Sequence, residues 1–237
     1  MFLFYRLLLA HLLADFPLQF SKLFRLKTEG IKGVILHGSV FGILAVIFSA
    51  PYLAFSNIGI FLIFLWVFHI FTDWLKIKLI HHYKNDSISL FVFDQMLHIA
   101  AIAAVILFNF PPAAGGHSFL SRLYSNDSMV IFCIFYVITT FAATVVIYYL
   151  KKTYVHSDIS FPMKGRYYDI IERALITTFI ILPGYFYLFA PLFIAGKAII
   201  CRKKNFQEGD YDFSMFNFTA SFSIAVIVGI ILRLMIY

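Results

Sequence analysis

Charge is scarce in this chain of 237 residues. Asp, Glu, Lys and Arg make up 13% of it, where a soluble domain carries about a quarter. With 62% hydrophobic residues and a mean hydropathy of +0.88, the shortage excludes an ordinary soluble domain and predicts a polytopic membrane protein. Cysteine is scarcer still: Cys133 and Cys201 form neither a disulfide framework nor a metal-ligand spacing. The hydrophobic runs lack period-two alternation over barrel-length segments, which excludes a transmembrane β-barrel. A basic start before the first run is also missing, and Arg6, His11, Asp15 and Pro17 interrupt that run, so no cleaved signal peptide is expected. Acidic residues are the minority sign, 12 against 19 basic, for a formal net charge of +7. The basic residues fall in short connections between hydrophobic runs. Membrane topology therefore accounts for them, and no nucleic-acid partner is expected.

What the chain has in abundance is apolar sequence of bilayer length, about 20 residues per run. Eight such runs are predicted, at 2–20, 33–55, 57–80, 88–110, 129–150, 168–183, 185–201 and 215–236. "LPG" at 182–184 separates the sixth from the seventh, so residues 168–201 form either two spans or one re-entrant element. The expected fold is an all-α, polytopic transmembrane helical bundle. Lys22, Arg25, Lys27 and Lys32 follow the first run; Lys76, Lys78 and Lys84 follow the third. Lys151, Lys152, Lys164 and Arg166 follow the fifth, and Arg202, Lys203 and Lys204 the seventh, whereas only Arg122 falls in an even connection. The alternation predicts both termini on the non-cytoplasmic side. Residues 1–110 read as a four-span core with a parallel two-hairpin repeat, and 111–237 as a C-terminal four-span half packing on it.

Polar residues are spaced unusually within these runs. "HLLADFPLQF" (11–20) sets His11, Asp15 and Gln19 at four-residue intervals, and "HIFTDWLKI" (69–77) repeats the spacing with His69 and Asp73. Asp94 and His98 form the reversed pair, and His37 lies near the start of the second run. Residues four apart share a helix face. With the predicted topology these groups fall at one depth, between the membrane middle and the cytoplasmic edge. An ionisable group in the membrane costs roughly 2.5–3.5 kcal/mol on insertion scales, so they are expected to face one another or a hydrated cavity. One His/Asp pair alone is as readily an interhelical clamp worth about 0.6–2 kcal/mol. Three pairs plus His37 on consecutive spans favour a site.

Helical bundles hold divalent metals with His and carboxylate side chains at such spacings. His11, Asp15, His37, His69, Asp73, Asp94 and His98 are therefore the expected metal ligands, with zinc, manganese or iron as the ion. Asp73, Asp94 and Lys76 are the expected catalytic groups. Gln19 and Gln95 are read as hydrogen-bond partners of the ligands; Glu172, Arg173 and Lys197 as a mutually neutralising or substrate-anion group. His81 and His82 read as solvated, and His156 with Asp158 as a weaker candidate cap. The most concrete activity is metal-dependent hydrolysis of a lipid-linked or phosphate-bearing substrate. A proton- or cation-coupled transporter and a membrane scaffold with a structural polar cluster stay open beside it. A di-iron oxidase fits poorly, because its HxxxH and HxxHH spacings are missing.

"HLLADFPLQ", "HIFTDWLKI" and "FDQMLH" together resemble the bacterial membrane-protein family known as domain of unknown function 3307. "GRYYDIIERALI" (165–176), "IAGKAI" (194–199) and "GDY" (209–211) are similar to its longer members, the last with Asp210 where glutamate is expected. The resemblance implies a multi-pass protein of the bacterial inner membrane and supplies no activity. The paired motifs also resemble, distantly, the inner-membrane metal-dependent hydrolases under LexA control.

Overall fold

The computed structural model of the chain describes residues 1–54, 56–84, 86–108, 110, 119–154, 166–203 and 214–237, and the regular structure among them is helical throughout. It divides into two units, Met1–Ile134 and Phe135–Tyr237. The first contains α1 (Phe2–Asp15), α2 (Ser21–Glu29), α3 (Ile31–Phe48), α4 (Ser56–Tyr83), α5 (Ile88–Ala103) and α6 (Phe119–Ser125). The division falls within α7 (Asp127–Val137). The second unit then contains a π-helical turn (Ile138–Ala142), α8 (Ala143–Tyr154), α9 (Arg166–Ile181), α10 (Ala190–Lys203) and α11 (Met215–Ile236).

Five described stretches are long and apolar enough to cross a membrane: Ile31–Phe48, Asn57–Tyr83, Ile88–Phe108, Asp127–Tyr154 and Met215–Ile236. The other three expected spans are shorter helices, with 14 residues in α1, 16 in α9 and 14 in α10. At 1.5 Å per residue, 14 residues reach only about 21 Å of a hydrocarbon core about 30 Å thick. Ile43, Ile60, Ile63, Val67, Met96 and Leu107 are more than half exposed. An exterior of this kind suits lipid rather than water.

The first expected span ends five residues early, at Asp15. Pro17 has no N–H to continue the ladder and disfavours helix at Phe16, and the Leu18 N–H instead reaches back to the Leu13 carbonyl at 3.0 Å. The chain then forms α2, where a basic loop was expected. Leu23 and Lys27 share the buried face of α2, while Lys22, Phe24 and Arg25 are exposed. The helix rests directly on the start of α3: a Cβ at Gly33 would lie 1.8 Å from the Leu26 carbonyl oxygen.

α1 is buried on nearly all sides, with Leu3, Leu7 and Ala14 packed among Phe41, Ala45, Leu62, Leu65 and Ile102. α3 approaches α4 through Gly38 and Gly42, spaced as in small-residue interfaces of membrane helices. A Cβ on Gly38 would fall 2.4 Å from Ile70 Cγ1, and one on Gly42 2.8 Å from Trp66 Cδ1. This approach sets His37 beside His69. Gly38→Leu is therefore expected to push the helices apart, costing about 1–3 kcal/mol as overpacking does and separating the two imidazoles. Thermal unfolding in detergent checks the first effect and metal titration the second.

In the second unit α9 packs on α11 and α10 around Ile176, Ile180, Ala190 and Ala225. Residues 168–201 contain two helices, α9 and α10, broken at Leu182–Gly184.

Candidate metal centre

Four helices of the first unit bring the seven His and Asp residues to one place. His11 and Asp15 come from the last turns of α1, His37 from α3, His69 and Asp73 from α4, and Asp94 and His98 from α5; all are buried. His37 Nε2 lies 3.3 Å from Asp15 Oδ1, 3.4 Å from His69 Nε2 and 3.5 Å from Asp73 Oδ2. His69 Nε2 lies 3.5 Å from Asp15 Oδ1 and 3.4 Å from Asp73 Oδ2. These five separations outline two triangles sharing the edge between the imidazole nitrogens. In a tetrahedral site with metal–N/O bonds of about 2.0–2.1 Å, the donors stand about 3.3–3.4 Å apart.

The remaining residues extend this group. His98 Nε2 lies 3.4 Å from Asp94 Oδ1 and 3.9 Å from Asp73 Oδ1, and the Thr72 hydroxyl is 3.2 Å from His98 Nδ1. Three sets bring donor atoms within 4.8 Å of one another: His11, Asp15 and His69; His37, His69 and Asp73; Asp73, Asp94 and His98. His69 and Asp73 each serve two sets. The His69 ring is held by stacking, on His98 at 4.2 Å and on Phe41 at 4.7 Å between centroids.

Several buried nitrogens here have no hydrogen-bond partner: both ring nitrogens of His11, His37 Nδ1 and His69 Nδ1. Burying such a group unsatisfied costs about 1–3 kcal/mol, so a cluster of them calls for an explanation beyond packing. Donor type and spacing are those of groups that could hold a metal ion.

Two lysines close the cluster. Lys27 Nζ lies 2.6 Å from Asp73 Oδ1, and Lys76 Nζ 3.1 Å from Asp94 Oδ2. Burial works against the Lys27 ammonium, but Asp73, then Asp15 and Asp94, outweigh it and hold its pKa above the ordinary lysine value. Gln95 Nε2 donates to Asp15 Oδ2 at 3.1 Å and to Asp94 Oδ2 at 3.3 Å. Gln19 does not continue the His11–Asp15 stripe, since α1 has ended four residues before it. Lys27, expected as a loop charge, belongs to the cluster. Its sequence signal was the four-residue spacing from Leu23 on a short amphipathic turn.

At the other end of α1, the buried Arg6 makes a separate clamp. Its guanidinium pairs with Asp127, donates to the Tyr124 and Phe2 carbonyls and covers the Phe2 ring at 3.3 Å. Tyr124 in turn donates its hydroxyl to the Phe48 carbonyl at 2.7 Å. Arg6→Met is expected to cost about 2–4 kcal/mol by leaving these acceptors unpaired, with metal affinity unchanged. Unfolding and titration of one preparation check both.

The second unit holds its own polar cluster. Lys197 Nζ pairs with Glu172 and with Asp169 Oδ1 at 3.0 Å. Arg173 donates to the Thr139 and Thr140 carbonyls, both at 2.6 Å, to the Thr144 hydroxyl, and to Ser221 Oγ at 3.1 Å. The two carbonyls belong to the π-helical turn, whose wider winding disturbs the regular ladder. His81 and His82 are exposed at the end of α4. His156, Asp158 and "GDY" lie outside the described residues.

No curated protein and no solved structure matches the chain. A family described as protein of unknown function, DUF3307, matches residues 3–126. That segment contains every His and Asp of the candidate centre together with Lys27, Lys76 and Gln95, while the motifs at 165–176 and 194–199 lie beyond it. With just over half its length matched, and the candidate centre wholly inside the match, the chain belongs to the DUF3307 family.

Proposed function

We propose that this protein is a multi-pass protein of the bacterial inner membrane that holds a divalent cation in its first unit and hydrolyses a lipid-linked or phosphate-bearing substrate. One observation carries the metal reading. Asp15, His37, His69 and Asp73 present donors at five separations of 3.3–3.5 Å, close to the spacing of ligands around a tetrahedral ion. Nitrogen and oxygen donors without thiolate suit zinc, manganese or iron. Such an ion would supply Lewis acidity towards a phosphate or ester oxygen and a water of lowered pKa.

The chain's own residues divide the remaining work. Asp94 and His98, 3.4 Å apart beside those four donors, are the pair that takes the proton from the attacking water. Asp73 holds the geometry from two sides. Lys76, with its side chain 16% exposed, reaches the rim of the cluster where an anionic group would enter. The basic residues Lys22, Arg25, Lys32, Lys78 and Lys84 support a cytoplasmic orientation. The eight-crossing arrangement with both termini non-cytoplasmic belongs to this proposal, with α1, α9 and α10 as short crossings.

Phosphate release from phosphomonoester and phosphodiester substrates tests the reading, measured beside cation flux in proteoliposomes. Metal-dependent turnover that disappears in His69→Ala is the expected result. Flux abolished by Asp73→Asn, with no ester turned over, would assign the same residues to transport.

A further inference from the structure

We propose that Lys27 and Lys76 are the site's built-in counter-cations, displaced by the divalent ion and then used to hold the phosphate group of the substrate. This rests on the metal reading above. Each of two carboxylates divides its oxygens between a lysine and an imidazole. Asp73 gives Oδ1 to Lys27, with His98 farther off at 3.9 Å, and Oδ2 to His37 and His69; Asp94 gives Oδ2 to Lys76 and Gln95 and Oδ1 to His98. The lysines thus neutralise two of the oxygen-bearing groups that a metal ion needs.

Charge balance gives the exchange its direction. Asp15, Asp73 and Asp94 carry three negative charges, and the two ammonium groups leave a net charge of −1 before any imidazole is protonated. A divalent ion brings the same set to +1. The Lys27 ammonium, 2.6 Å from Asp73 Oδ1, then has a doubly charged ion across the same carboxylate, and like charges repel where water is scarce. A lysine ammonium on its flexible four-carbon stem can swing off the carboxylate while staying beside the site, and the set, now at +1, attracts an anion. The placement favours phosphate: α2 brings Lys27 against Asp73 from one side, and Lys76 stands at the rim on α4. Two ammonium groups beside a cation form a clamp for the oxygens of a phosphate monoester or diester.

The alternative is that the lysines only neutralise buried aspartates, in which case removing one weakens the site for every ligand. Titration calorimetry of the full chain in detergent separates the two, using Mn²⁺ alone and then inorganic phosphate on the Mn²⁺-loaded protein. In Lys27→Gln and Lys76→Gln, Mn²⁺ is expected to bind about tenfold more tightly than in wild type, and phosphate about tenfold more weakly. Mn²⁺ is also expected to raise the unfolding temperature of each variant more than that of wild type. Should Lys27→Gln fail to fold, Lys76→Gln decides. Wild type that binds Mn²⁺, with variants that bind it equally or less well, overturns the exchange and leaves the metal site standing. No metal bound by any of the three overturns the metal reading itself.

Discussion

Asp73→Asn is expected to lower metal affinity by about 100-fold or more and to destabilise the protein by about 3–5 kcal/mol. The first figure lies at or above the 10–100-fold typical of losing a hydrogen-bond partner of a ligand, because Asp73 belongs to two of the three donor sets. The second follows from Lys27, whose buried ammonium keeps its burial and loses its carboxylate. Asparagine preserves size and shape, so the effect is one of charge. The double variant Lys27→Gln/Asp73→Asn separates the two losses. It is expected to recover much of the stability, since neither charge remains, while still binding metal more weakly than wild type. Titration calorimetry and thermal unfolding of the four proteins complete the cycle.

The second large effect lies in the other unit. Arg173→Lys is expected to cost about 3 kcal/mol although the charge is kept. The guanidinium donates at once to the Thr139 and Thr140 carbonyls, the Thr144 hydroxyl and Ser221. A planar fork can serve two neighbouring carbonyls; a single ammonium at the end of a shorter reach cannot. At least one buried carbonyl of the π-helical turn is then left unpaired, at the cost such groups carry. The measurement is the unfolding temperature in detergent. A lysine variant as stable as wild type would show that charge alone matters there.

The parts of this arrangement that were legible in the sequence are those with a local period. His11 with Asp15, His69 with Asp73 and Asp94 with His98 each announce a shared helix face by their spacing, and scarcity of charge pointed to apolar helices long enough to cross a membrane. Helix ends were harder. Hydropathy runs on through Phe16 to Phe20, yet Pro17 stops α1 at Asp15, which removes Gln19 from the stripe. Of the eight spans expected from composition, five correspond to described helices of crossing length, and α1, α9 and α10 are shorter. Lys27 was hidden because α2 is short and mostly polar, so it resembles a basic loop until the Asp73 carboxylate appears beside it. Gly38 and Gly42 have meaning only once Ile70 and Trp66 face them. Arg173 was visible as a charge, but a π-helical turn leaves no spacing by which its carbonyls might have been found.

The central claim is that these side chains hold a divalent ion, and metal content per chain tests it most directly. The purified full chain, incubated with zinc, manganese or iron and freed of excess, is expected to retain at least one ion per chain by elemental analysis. The His37→Ala/His69→Ala variant, which removes the shared edge of both triangles, is expected to retain none. Wild type with no bound ion after all three incubations, or a variant that keeps as much metal as wild type, would contradict the account.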